Sequence, residues 1–160
     1  MLRKKAFDID KGDNFSEIAA NMALTLKKAE GLGLAGPQVG IMKKIFVIDT
    51  SPLKDKGVEI VEKKYFNPYI NHFSENNISY NEGCLSIPGI NEDVFRPDKI
   101  EVRYRDENFD LREEVLDGLV ARIFQHEFDH LQGILFIEKL SPLRKKLIKR
   151  RLREIKRSQH

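Results

Sequence analysis

The chain has no tryptophan, one cysteine and four histidines among 160 residues. The lone Cys84 excludes an internal disulfide and fits a reducing compartment. No apolar run approaches the roughly 18 residues of a membrane span. The start, Met-Leu-Arg-Lys-Lys, has a basic flank with no apolar stretch behind it, so no signal peptide is expected. Internal repeats and low-complexity linkers are also missing. These absences point to a cytoplasmic protein with no membrane contact. Nothing in the chain suggests DNA as a partner. The length suits one domain, residues 1–160, with a real core.

Charge is present but unevenly spread. The chain carries a formal +3. Residues 141–160 hold nine Lys/Arg against Glu154, a net +8, so the other 140 carry −5. A basic terminal segment on an acidic body suggests an anionic partner.

Periodicity outlines the elements. Ile18, Met22, Leu26 and Ala29 recur at helical spacing over residues 14–30, with Gly31 placed to stop that helix. "GLGLAGPQVG" (31–40) is too rich in Gly for a helix interior and reads as an irregular extended segment. "KIFVIDT" (44–50) is a buried strand, and "SPLKDKG" (51–57) a turn. Residues 58–65, 67–73 and 78–82 alternate as short strands. Residues 96–116 read as a hairpin turning at "DENFD". Asp117 suits the N-cap of a helix through Leu131, with Gly133 as its stop. Ser141-Pro142 opens a last, basic helix over 141–160. The expected class is α+β: mostly antiparallel strands around a central helix, with further helices at the two ends.

That central helix carries "QHEFDHLQG" (125–133). A helix turns about 100° per residue. With His126 at zero, Leu119 falls near 20°, His130 near 40°, Ile123 near 60° and Glu127 near 100°. Two imidazoles and a carboxylate therefore share the apolar face, where unpaired burial is costly. A divalent metal on His126 and His130 would compensate. His-Glu-x-x-His also marks zinc proteases with Glu as general base. One protease group adds a third His at the position held here by Phe136, and Glu138 is a weak substitute. His72 and His160 read as an ordinary strand residue and a tail residue.

A third ligand must come from elsewhere. "YNEGCLSIPG" (80–89) holds Cys84, and thiolate is a strong ligand for a borderline or soft divalent metal. A buried structural cysteine is equally common, and spacing alone does not join it to a helix about 40 residues on.

Three segments in order, "GLGLAGPQVG" (31–40), "EGCLS" (82–86) and "QHEFDHLQG" (125–133), resemble the three motifs of the peptide deformylases. The likeness runs from about Leu2 to the terminal helix. It implies an α+β fold around a metal-bearing helix and hydrolytic removal of the formyl group from formyl-methionine of nascent chains, releasing formate. It implies that Cys84, His126 and His130 bind one metal, typically Fe(II) in the cell, with Zn, Ni or Co also compatible with the donors. Three protein ligands leave a position for water, whose pKa the metal lowers. Hydroxide would attack the formyl carbon while Glu127 acts as general base and then acid. The Gln38 amide and the Leu85 backbone N–H would stabilise the oxyanion. Without the resemblance, Gln38 reads as a solvent-facing loop residue.

Glycines at 31, 33 and 36 would let backbone run close to a bound peptide that pairs with it as an added strand, and Leu32–Leu34 would line that substrate groove, with Gly33 at its narrowest contact. Leu119, Ile123 and Tyr80 are candidates for the methionine pocket, although all three also read as plain core. Glu82 and Arg96 would brace the cysteine loop, and Asp129 with Arg122 would form a second pair. The basic terminal helix would meet ribosomal RNA through its phosphates. Two features depart from the family pattern. Gly36 stands where an alanine is usual, and the chain starts at Met1-Leu2-Arg3, where members usually have a strand first. Two other readings compete: a zinc endopeptidase, and an RNA-binding protein with a structural metal.

Overall fold

The computed structural model describes residues 4–158. The first three residues, with the expectation about a missing first strand, and His160 lie outside the described residues. The elements in chain order are α1 (Phe15–Ala29), β1 (Gly33–Ala35), β2 (Ile45–Asp49), β3 (Glu62–Phe73), β4 (Asn77–Cys84), β5 (Ile87–Pro97), β6 (Lys99–Arg105), β7 (Leu111–Asp117), α2 (Gly118–Leu131) and α3 (Pro142–Ser158). Short 3-10 turns at Gly36–Val39, Ser51–Lys56 and Phe136–Lys139 join them. The strands form a five-stranded sheet in the order β1-β2-β3-β6-β7 and a separate β4–β5 hairpin. All of these pairings are antiparallel. The α+β expectation holds.

β2 shows how the layers are made. Every residue in it is buried. Ile45 and Val47 face α1 and join Ala19, Met22 and Leu26. Phe46 and Ile48 face α2 and join Phe124 and Ala121. An alternating strand with both faces apolar must be covered on both sides, and the two helices do this. Phe124 packs edge-on against Phe46 and Tyr65, at 4.9 and 5.1 Å between ring centroids. A third cluster lies under the hairpin, where Ile87, Ile90 and Val94 meet Leu135, Phe136, Leu140 and, from α3, Ile148.

Several local expectations are corrected. α1 ends with Glu30, not Gly31, in the left-handed conformation (φ 53°). Gly31 is needed for closeness instead, because a methyl there would lie 2.8 Å from Leu85 Cδ1. The stretches 58–65 and 67–73 merge into one strand starting at Glu62. Asn67 (φ 48°) interrupts its register, and its side chain exchanges hydrogen bonds with the Ile9 backbone instead. Asp117 stands at the N-cap of α2, as expected, but its carboxylate accepts no capping hydrogen bond. The hairpin read at 96–116 is β6–β7, and β5 before it is an additional strand. At α3, Ser141 Oγ accepts from the Arg144 N–H at 3.3 Å, as a cap should. No helix among the described residues is long and apolar enough to cross a membrane.

Candidate metal centre

α2 presents His126, Glu127 and His130 from a helix buried over most of its circumference. The hairpin brings Cys84 to them. One ligand atom from each of Cys84, His126 and His130 lies within 4.8 Å of the others. Among the described residues this is the one group of His, Cys, Asp or Glu so placed. Cys84 Sγ is 3.3 Å from His130 Nε2. His72 is exposed on β3, and Glu138 lies in the turn after α2; neither belongs to the group.

A buried ionic network fixes the thiol and the imidazoles relative to one another. Glu82 is central to it. Its Oε1 meets His126 Nδ1 at 2.8 Å, and its Oε2 accepts from Arg96 Nε at 2.8 Å and from Arg122 Nη1 at 2.5 Å. Burial alone would raise the Glu82 pKa, but His126, Arg96 and Arg122 together hold it down at about 2. Arg96 also donates to Asp129 at 2.7 Å. The expected Glu82–Arg96 pair therefore forms. The expected Arg122–Asp129 pair does not: Arg122 reaches Glu82 and the Val94 and Ile78 carbonyls, and Asp129 belongs to Arg96. The Glu82 contact at Nδ1 leaves Nε2 as the free ring nitrogen of His126, the usual arrangement behind a metal-binding imidazole.

The donor set suits a cation. Burial, reinforced by His126 and Arg96, depresses the His130 pKa to about 3 and keeps that ring neutral. Burial also opposes a charge on His126, yet Cys84, Glu82 and Glu127 outweigh it and push its pKa up to about 10. A positive charge is thus favoured at this point between a sulfur and two carboxylates. Glu127 Oε2 and His130 Nδ1, like Arg122 Nε in the network, are buried without a protein partner among the described residues. Burial pushes the Glu127 pKa up to about 7; Glu82 adds to this, while His126 and Arg96 oppose it. A sulfur and two imidazoles fit a borderline divalent ion such as Fe, Zn, Ni or Co.

Cys84, His126 and Glu127 line a cavity of about 470 Å³, with His130 outside its lining. Leu32, Gly33, Gln38, Leu85, Leu119 and Ile123 line it beside them. Gly33 is a steric requirement: a methyl there would lie 2.7 Å from Glu127 Oε1. Gln38 is held rather than loose. Its Oε1 accepts from the Ala35 N–H at 2.7 Å, which turns its Nε2 toward Cys84 Sγ (3.4 Å) and Ser86 Oγ (3.1 Å). Two pocket candidates lie elsewhere. β1 alternation sends Leu34 into the α1 cluster, and Tyr80 lies under the Arg122 guanidinium, 5.1 Å from its ring centroid. Sequence reasoning missed the part played by Arg122, one turn before His126 on the same helix face and so legible as an inward charge. It also missed Ser86, and Phe136 stacked 5.8 Å from the His126 ring.

The polypeptide deformylase family model matches residues 1–146. A peptide deformylase of Cytophaga hutchinsonii is 42% identical over 156 residues, covering 97% of this chain and 85% of its own length. One from Christiangramia forsetii is 44% identical over 165 residues, covering 97% and 84%. Among solved structures, a Synechococcus elongatus peptide deformylase in complex with actinonin has a TM-score of 0.80 at 40% identity, covering 88% of this chain and 76% of that one. A plant peptide deformylase has a TM-score of 0.88 at 34% identity, covering 98% and 84%. The chain belongs to the polypeptide deformylase family, metal-dependent hydrolases that remove the N-formyl group from nascent chains.

Proposed function

We propose that this chain deformylates formyl-methionyl peptides, with one divalent cation on Cys84, His126 and His130, Fe(II) in the cell. The observation that carries the reading is the meeting of one thiol and two imidazoles beside a buried carboxylate with an unpartnered oxygen, at a cavity of about 470 Å³. A cation held there supplies Lewis acidity, which acidifies water and polarises a carbonyl.

The protein groups divide the remaining work. Glu127 takes a proton from the attacking water and returns it to the amine nitrogen as the C–N bond breaks, leaving formate and a free amino terminus. Gln38 Nε2 turns from its long contact with Cys84 to donate to the tetrahedral oxyanion, and the Leu85 backbone N–H is the second donor. Leu119 and Ile123, about two turns and one turn before His126, form the apolar wall for the methionine side chain. Among the described residues β1, β4 and β5 each pair with a single strand and border the cavity, and β1 and β4 flank the Cys84 end of it. A peptide between them would pair with backbone on each side.

We read residues 1–160 as one catalytic domain working in the cytoplasm. α3 would supply ribosome contact. Its Ile148 is buried against the body, while Leu143, Leu147 and most of its Lys/Arg face outward. That contact should weaken steeply with salt.

The test uses protein purified and loaded with iron without air. Formate should be released from formyl-Met-Ala-Ser, and Glu127→Ala should lower the rate by about 10²–10⁴ with the metal retained. Folded, iron-loaded protein that leaves the peptide intact would refute the assignment.

A further inference from the structure

A second cavity, of about 550 Å³, lies at the start of α2, walled by β3, β7 and the segment that leads into β3. Leu119 is the one residue that lines both it and the metal-centre cavity. Much of the wall is apolar, with Val58, Val61, Leu116, Leu119 and Val120. The charged lining is mostly acidic: Glu59, Glu114 and Asp117 against Lys63. Tyr65 completes it.

Two polar atoms at this cavity are not satisfied by the fold. Tyr65 is 0% exposed, with its ring packed among those of Phe46, Tyr104 and Phe124. Its hydroxyl has no hydrogen-bond partner among the described residues. Glu114 stands opposite Val102 of β6, so its side chain shares the sheet face that carries Tyr65 and Tyr104. Its Oε1 accepts from Lys63 Nζ at 2.8 Å, while its Oε2 is buried without a partner among the described residues. A buried oxygen left unpaired costs free energy. Burial raises the Tyr65 pKa, and Tyr104 and Glu114 raise it further, so the hydroxyl stays protonated and feels the nearby carboxylate.

A ligand that satisfies both oxygens must bring hydrogens for a carboxylate and for a hydroxyl able to accept. It must also offer an apolar body to the valines and leucines. A primary ammonium has three donor hydrogens and no acceptor, and the acidic lining favours its charge. Lys63 already places such a group on Glu114, but from an exposed side chain. An exposed ion pair of that kind is given up at little cost.

We infer that this cavity is a binding site for a small organic cation, a primary ammonium on a short alkyl body, that replaces Lys63 on Glu114 and donates to the Tyr65 hydroxyl. The site is separate from the metal ligands and stands independently of the deformylating reading.

The experiment titrates hexylammonium chloride into the zinc-loaded full chain at low salt, with hexanol as the uncharged control. Binding is followed by calorimetry and by backbone amide NMR shifts. Hexylammonium should bind with a Kd on the order of 1 mM, and hexanol about tenfold more weakly. The shifted amides should fall in 58–65 and 114–120. Glu114→Gln should weaken hexylammonium by about tenfold or more, and Tyr65→Phe by about three- to tenfold. Lys63→Ala should strengthen it severalfold, because the competing ammonium is gone. Tyr65→Phe keeps the packed ring and Lys63 is exposed, so near-natural denaturant midpoints are expected for both and check that they fold. The inference is overturned if hexylammonium leaves the amides around the cavity unmoved, or if all three variants bind it as the natural chain does. Buried water alone would then satisfy the two oxygens.

Discussion

Two of the three proposed metal ligands stand on α2 and the third on the β4–β5 hairpin, and these two regions are held in different ways. α2 is clamped by apolar packing, with Ala121, Phe124 and Leu131 wholly buried against Phe46, Tyr65 and Ile100 of the large sheet. The hairpin has an apolar underside on Phe136 and Ile148, but its link to α2 is ionic: Glu82 and Arg96 from the hairpin, Arg122, His126 and Asp129 from the helix. Apolar packing resists displacement in every direction. A buried ion network adds little net stability, yet it penalises any geometry in which a charge loses its partner. The contrast separates two tasks. The large sheet and α2 keep the protein folded, and the network sets where the thiol sits relative to the imidazoles.

Substitutions can break this contrast from either side. The largest combined effect is expected for Glu82→Ala, which strands two buried arginines and frees His126. Unfolding free energy should fall by about 3–5 kcal/mol in denaturant titrations. Zinc affinity of the folded protein, measured by chelator competition, should fall about 10–100-fold. Phe46→Ala should cost a similar 3–5 kcal/mol by cavity formation, while affinity in the folded protein stays within a few-fold. If Phe46→Ala lowers affinity as far as Glu82→Ala does, the separation of tasks is wrong. Arg144→Ala, removing an exposed contact between α3 and Glu92, should leave the denaturant midpoint of unfolding nearly unchanged.

The same contrast explains what could be read in advance. The α2 side was legible because its core faces follow plain periodicity: β2, α1 and α2 fall within a residue or two of their expected bounds. The hairpin was harder. From Ile90 onward the inward positions of β5 are Ile90, Glu92, Val94 and Arg96, so alternate charged residues point inward and mask the strand, and Pro88 with Gly89 reads as a loop. Arg122 was assigned to Asp129 because both lie on one helix. The partner that won, Glu82, comes from 40 residues earlier and cannot be found from local spacing. Leu32 and Leu34 looked equivalent, but Leu32 precedes β1 and escapes its alternation, so only Leu32 faces the cavity. Cys84 itself was ambiguous by spacing, and only the resemblance made it a ligand.

The central claim is that a sulfur from the hairpin and two imidazoles from α2 hold one cation. X-ray absorption on the zinc-loaded protein tests it most directly. One sulfur scatterer at about 2.3 Å and two imidazole nitrogens at about 2.0–2.1 Å are expected, with the sulfur lost in Cys84→Ser. Stoichiometric zinc with no sulfur in its coordination shell would contradict the account.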